Sequence, residues 1–155
     1  MFDKIIYKIN HPHIRTIYPP VAQAAFAIAY LVKPWSTSIW KSLLLILDIL
    51  VFYLILLVLD RLKYNASLII IYWWNPILLH EIFNAGHKDL IMYPFLVGGI
   101  LFYLKEKYVI SIFLISIAVG VKIWPIIFIP FLLKKVWKNK KLFLESFFAS
   151  SFIIL

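Results

Sequence analysis

The chain has 155 residues, is 64% hydrophobic and only 15% charged, with a mean hydropathy of +0.93. Soluble domains average nearer half apolar and a quarter charged, so the composition argues against a small soluble domain and for a chain solvated mostly by lipid. The net charge of +9 comes from lysines set between apolar runs rather than along one face, which suits topology signals and headgroup contacts and argues against a nucleic-acid surface.

Met1 to Ile9 is mixed polar and lacks the apolar core of a cleavable signal. Residues 1–20 read as the remnant of an external loop, and 21–155 as a membrane helical domain incomplete at both ends. In "HPHIRTIYPPVAQ" (His11 to Gln23) the loop runs into a helix. Pro19 and Pro20 suit a helix start, because the amide protons of a first turn have no partner in the helix anyway. Such a start aims free N–H groups and a partial positive charge outward, toward a phosphate or carboxylate. Arg15 can add a bidentate phosphate contact. The plainer reading is an interfacial loop in which Arg15 and Tyr18 only touch headgroups.

Val21 to Val32 covers about 18 Å as a helix, short of the ~30 Å hydrocarbon core, and is expected to turn back at half depth. Ile39 to Leu59 is long enough to span. Asp48, near its middle, is too short to snorkel and must pair, with Lys122, Asn75 or a backbone amide, or stay protonated. Ala66 to Phe83, Leu90 to Leu104 and Tyr108 to Ile123 read as further spans. Pro125 to Leu133 is short, and Leu142 to Leu155 stays apolar to its end. The fold class is therefore all-α: a polytopic membrane helix bundle of about five to seven membrane segments, some short or re-entrant.

Polar groups collect in "YWWNPILLHEIFNAGHKDLI" (Tyr72 to Ile91). Pro76, after Asn75, removes a helix hydrogen bond and predicts a kink, which survives at depth only where protein or a cavity covers the backbone. His80 and Glu81 follow a turn later. A glutamate in a span usually faces a polar cavity or a partner; the bland alternative is a place at headgroup level. In "NAGHKDL" a turn at Gly86 lets two of His87, Lys88 and Asp89 meet one ligand, unless the turn is simply solvated. His87, Asp89 and Glu81 are residue types that could hold a divalent metal, but their spacing supports no such site, and the absence of cysteine excludes thiolate ligands. The sequence points to no cofactor. In "VGVKIWPIIFIP", Lys122 ends an apolar helix, either snorkelling to headgroups or neutralising an anion in a cavity.

Counting spans fixes an orientation. If Val21–Val32 turns back, Arg61, Lys63, Lys105, Lys107 and the lysines from Lys134 to Lys141 share one side, which the positive-inside rule makes cytoplasmic. "INHPHIRTIYPP", "NAGHKD" and "VKIWP" then converge on the external face.

Taken in order, "NHPHIRTIYPPVAQ", an Asp-bearing helix (Asp48), "WNP" with "GHKD", and "VKIWP" resemble the polytopic GT-C glycosyltransferases that use polyprenyl-phosphate sugars. The likeness is closest to bacterial and archaeal mannosyltransferase-like members and more distant to the GPI mannosyltransferase I catalytic subunit. It covers nearly the whole chain. The resemblance implies inverting transfer of a sugar, with mannose the most frequent choice, from a polyprenyl-phosphate donor to a lipid or glycan acceptor at the outer face of the plasma membrane. It implies a carboxylate base in an external loop ahead of this stretch; Asp3 is the sole carboxylate in the remnant and matches no motif. Arg15, Tyr18, His87, Lys88 and Lys122 would hold the donor phosphate, with Asp48, Asn75, Glu81 and Asp89 supporting. A transporter fragment should instead show repeats whose polar residues meet at mid-membrane, and none is visible. A noncatalytic scaffold derived from an enzyme is the remaining alternative.

Overall fold

The first helix of the computed structural model, which describes residues 18–137 and 139–154, is α1 (Pro20–Val32), begun by the two prolines. It stops at Lys33, whose backbone is extended. A turn led by Pro34 follows, closed by the Ser36 N–H donating to the Lys33 carbonyl at 3.4 Å. Ser36 then caps α2 (Thr37–Arg61), its hydroxyl accepting from the Ile39 N–H. With 25 residues, α2 rises about 38 Å. It is the one described helix long and apolar enough to cross a membrane by itself.

α1 stays at one end of the molecule. Its Val21 N–H donates to the Gly120 carbonyl at 3.0 Å. Phe26, midway along, meets Trp40 in the first turn of α2, ring centroids 4.7 Å apart. The helix lies across this end and returns the chain to it.

The stretch from Ala66 to Phe83 corrects the expectation of one continuous span. A 3-10 turn (Ala66–Leu68) leads into α3 (Ile69–Trp73), then the chain breaks and restarts as α4 (Pro76–Leu79) and a π turn (His80–Ala85). The cause is local. A residue before proline is pushed out of the helical region, and Asn75 is extended, its side-chain oxygen accepting from the Ile77 N–H at 3.0 Å. A mid-helix kink thus becomes a stop and a new N-cap.

After a 3-10 turn (Lys88–Ile91) come α5 (Met92–Leu104), α6 (Tyr108–Val119), a further 3-10 turn (Trp124–Phe128), α7 (Ile129–Val136) and α8 (Lys140–Ile154). No strand occurs among the described residues. α6 ends at Val119 rather than running to Ile123. At 13 and 12 residues, α5 and α6 rise about 20 and 18 Å, so of the spans read from the sequence only α2 has the length to cross alone.

α5 packs against both α6 and α2, and α8 covers another side of α6. Gly99 permits the α5–α6 approach: a Cβ there would stand 2.6 Å from Ile115 Cδ1. Ser111 Oγ donates to the Gly99 carbonyl at 2.7 Å across the same contact. Close approach at small residues and short interhelical hydrogen bonds are how helices associate in lipid, where apolar burial adds little. Leu44, Leu90, Met92, Ile112 and Ile115 fill the core. Outside, Leu31, Ile71, Trp74, Ile77 and Ile123 are each more than two-thirds exposed, and only 17% of the most apolar window of α2 is buried. So much exposed apolar surface points to a membrane association.

The opposite end is closed by two matching caps. At the end of α2, Tyr64 N–H bonds the Leu59 carbonyl and Lys63 N–H the Asp60 carbonyl; at the end of α5, Lys107 bonds Phe102 and Glu106 bonds Tyr103. Both are Schellman motifs, with Lys63 and Glu106 in the left-handed position at φ +60°. Arg61 Nε, donating to the Leu104 carbonyl at 3.4 Å, holds the two caps side by side. Phe128, Phe131 and Leu132 lie beside Tyr103 and Ser111, so α7 carries Lys134 and Lys135 toward this same end.

Candidate functional site

The turn at Gly86 begins the site. Gly86 has φ +66°, a conformation that costs an L-residue roughly 1–2 kcal/mol. Its carbonyl accepts from Trp40 Nε1 at 2.7 Å, and Lys41 Nζ donates to the nearby Asn84 carbonyl at 3.4 Å. Two residues on, the Lys88 ammonium sits 4.0 Å from the centroid of the Tyr18 ring, a cation–π contact. Tyr18 in turn leans on Phe26, at 5.6 Å, and Phe26 on Trp40. The chain of contacts closes on itself: Gly86, Trp40, Phe26, Tyr18, Lys88. Rings from α1 and α2 therefore fix the turn that carries "GHKD".

Asp89 reaches the other way, where its carboxylate pairs with the Lys122 ammonium just beyond the end of α6. The two side chains are 32% and 46% exposed, enough for a ligand to reach both. The Gly120 carbonyl, two residues before Lys122, takes the Val21 N–H. "YPP", "GHKD" and "VKIWP" thus meet at one end of the molecule although the sequence separates them by scores of residues.

Two expectations are corrected here. The start of α1 is not an open cradle of amides, because Pro20 has no N–H and that of Val21 is engaged by Gly120. Tyr18 also belongs to the start, its carbonyl accepting from Gln23 Nε2 at 2.6 Å. Asp48 pairs with none of Lys122, Asn75 or a backbone amide. It is fully buried and accepts from Tyr72 Oη at 2.7 Å and Trp73 Nε1 at 3.3 Å. Aromatic donors satisfy the carboxylate within the helix packing, and they tie α3 to α2 immediately before the break at Asn75.

That break opens a cavity of about 160 Å³ lined by Asn75, Leu78, His87, Asp89 and Tyr93, among others. It has space for several water molecules, and its wall mixes imidazole, carboxylate, amide and phenol with apolar groups. His87 and Asp89 face this space together, whereas Lys88 turns to Tyr18. The glycine-led turn therefore divides its three ionisable residues between two neighbouring places. His80 Nδ1 lies 3.3 Å from the Asn84 amide within the π turn. Arg15 and the side chain of Glu81 lie outside the described residues, so the set His87, Asp89 and Glu81 is not described as a group.

The motif reading missed Trp40, Phe26, Tyr93, Tyr72 and Trp73. For Trp40, Tyr72 and Trp73 the signal lies in "YWWNP" and "KPWSTSIWK", where aromatic residues crowd against the polar stretches. Amphipathic rings at such a boundary supply a hydrogen-bond donor from an apolar body.

Residues 14–138 match the family model described as alpha-(1->6)-mannopyranosyltransferase, N-terminal domain. The matched range takes in Tyr18, the "GHKD" turn and Lys122. No curated protein and no solved structure matches the chain.

Proposed function

The chain belongs to the alpha-(1->6)-mannopyranosyltransferase N-terminal-domain family, and on that premise we propose that it acts in mannosyl transfer from a polyprenyl-phosphate donor as a GT-C-type multi-pass membrane protein. The observation that carries this reading is the convergence of Tyr18, Lys88, Asp89 and Lys122 at one end of the helices, beside a polar-lined cavity. A lipid-linked donor keeps its tail in the bilayer and its phosphate and sugar at the rim. A site for it needs cations at the end of the helices, next to apolar surface, and this end provides them.

In this reading Lys88 and Lys122 stabilise the donor phosphate. As the bond from the anomeric carbon to the phosphate oxygen breaks, negative charge grows on the phosphate, and fixed cations lower that barrier. An ammonium has three donors, so Lys122 can keep Asp89 and still reach a phosphate oxygen. Asp89 holds that ammonium in place, which makes it a positioning residue rather than the base. His87, Asn75 and Tyr93 face the sugar in the cavity. The acceptor hydroxyl loses its proton to a carboxylate base. Asp48 supports the wall from beneath through Tyr72 and Trp73.

The site end lies on the external face of the plasma membrane and the end with Lys63, Lys105, Lys107, Lys134 and Lys135 on the cytoplasmic face, as the positive-inside rule orders them. The helices from Pro20 onward form the membrane domain. A transporter reading would need its polar groups at mid-depth. The buried carboxylate at that depth, Asp48, is already engaged by two aromatic donors.

The test is outer-face mannosyl transfer in proteoliposomes given polyprenyl-phosphate-mannose, comparing the full chain with Lys88→Glu and Lys122→Glu. Loss of donor binding and transfer in both variants supports the assignment. Undiminished transfer by both rejects it.

A further inference from the structure

A second concavity, of about 360 Å³, opens on the other side of Trp40, where α1 turns into α2. Its wall includes Tyr30, Trp35 and Trp40, with Lys33, Ser36 and Thr37 at the turn. Nothing in the donor reading uses it. Tyr30 and Trp35 are about half exposed and stand edge to face, ring centroids 5.7 Å apart.

Trp35 is the unusual member. Lys33 to Ser36 form a hydrogen-bonded turn with Pro34 second and Trp35 third. At φ +59° Trp35 occupies the left-handed position, which turns of this proline-led kind ordinarily fill with glycine or asparagine. For a bulky residue that conformation is an outlier, and outliers of this sort cluster at active sites and ligand clamps. Among the described residues, the other two with positive φ that are not glycine, Lys63 and Glu106, sit in helix-ending Schellman caps; Trp35 does not. The turn therefore presents an indole where a glycine would fold more easily.

We propose that this hollow receives a pyranose unit of the acceptor glycan, stacked against Trp35. The inference rests on the mannosyl-transfer reading, whose substrate it extends from donor to acceptor. A pyranose carries C–H groups across a ring face and hydroxyls around its edge. The C–H groups suit the electron-rich face of an indole, and the hydroxyls suit Ser36, Thr37 and the Lys33 ammonium. Binding sites of this kind are largely apolar with a few placed polar groups. The position fits as well. Trp40 lines this hollow and, through its Nε1, bonds the Gly86 carbonyl two residues from Lys88, so one indole separates the acceptor place from the donor place. An alpha-(1->6) linkage joins through the exocyclic oxygen of the acceptor, the hydroxyl that projects beyond a stacked ring.

The competing explanation of exposed tyrosine and tryptophan near a bilayer rim is headgroup anchoring. The experiment uses the full chain in lipid nanodiscs, with alpha-(1->6)-mannobiose as probe and saturation-transfer NMR plus calorimetry as readouts. The variants are Trp35→Gly, which suits the turn and keeps the fold, and Lys122→Glu. The proposal predicts that the wild type binds mannobiose and that Trp35→Gly weakens it about tenfold, as loss of one stacking partner does, with melting temperature unchanged or raised. Lys122→Glu keeps mannobiose binding. Equal binding by wild type and Trp35→Gly, or no binding by the wild type, would overturn it; a Trp35→Gly effect seen only on lipid partitioning would overturn it in favour of anchoring. Should Lys122→Glu retain donor binding while Trp35→Gly loses mannobiose, the acceptor site stands and the donor assignment fails.

Discussion

The two ends of the helices use the same residue type in different ways. At the end holding Arg61 and Leu104, the backbone closes in two regular Schellman caps, and Lys63, Lys105 and Lys107 are exposed, Lys105 meeting the Phe102 ring of its own helix at 5.8 Å. At the other end the backbone is irregular, with a broken helix, a π turn and a left-handed glycine. There Lys41 bonds a carbonyl, Lys88 faces a ring and Lys122 pairs with a carboxylate. A lysine that marks topology needs only water and headgroups around it. A lysine that builds a site must be held, and holding it takes partners from other elements.

Charge reversal separates the two ends most sharply. Lys122→Glu places an acid beside Asp89 and removes a cation from the proposed donor site. Transfer is expected to fall roughly a hundredfold, whereas Lys105→Glu, read in the same assay, should leave it within a factor of about two.

Next in size is the clamp beneath the cavity. Asp48→Leu leaves the Tyr72 hydroxyl and Trp73 N–H without their buried acceptor, at a cost of about 3 kcal/mol. Asp48→Asn keeps one acceptor oxygen and should cost about 1 kcal/mol. Unfolding of both variants in detergent, followed by near-UV circular dichroism, checks the order. Equal loss would mean that the aromatic donors do not depend on the carboxylate.

The left-handed positions give a pair of opposite sign. Gly86→Ala should destabilise by about 1 kcal/mol through backbone strain, since its new methyl would meet Trp40 only at an ordinary 3.5 Å. Glu106→Gly, at the regular end, should stabilise by about half that, because glycine is the preferred residue of a Schellman cap. Thermal melts of both read the difference, and a stabilising Gly86→Ala would deny that this turn needs the left-handed backbone.

Much of the helix layout was legible because apolar runs announce themselves. Val21–Val32 and Ile39–Leu59 fall within α1 and α2, and Leu90 and Tyr108 lie close to where helical chain resumes. The break at Trp74 was not legible as a break, since Asn75–Pro76 gives a kink or a full stop depending on whether Asn75 caps the next helix. Asp48 was recognisable as a residue that must pair. Its partners were not, because Tyr72 and Trp73 come from a separate helix, and a period-based reading sees aromatics only as apolar. For the site, Lys88, Asp89 and Lys122 were marked by cost alone: ionisable groups in greasy sequence demand a reason. That Asp89 would reach Lys122 while Lys88 turned to Tyr18 depends on the φ of Gly86, which no composition reveals.

In the proposed topology the "GHKD" end faces outward and the Schellman-capped end faces the cytoplasm. Because the sequence contains no cysteine, single substitutions at exposed Ala85 and exposed Lys107 can be labelled without background in intact cells with a membrane-impermeant maleimide. Ala85→Cys should react from outside, and Lys107→Cys only after permeabilisation. Labelling of both from the same side, or in the reverse order, would rule that topology out.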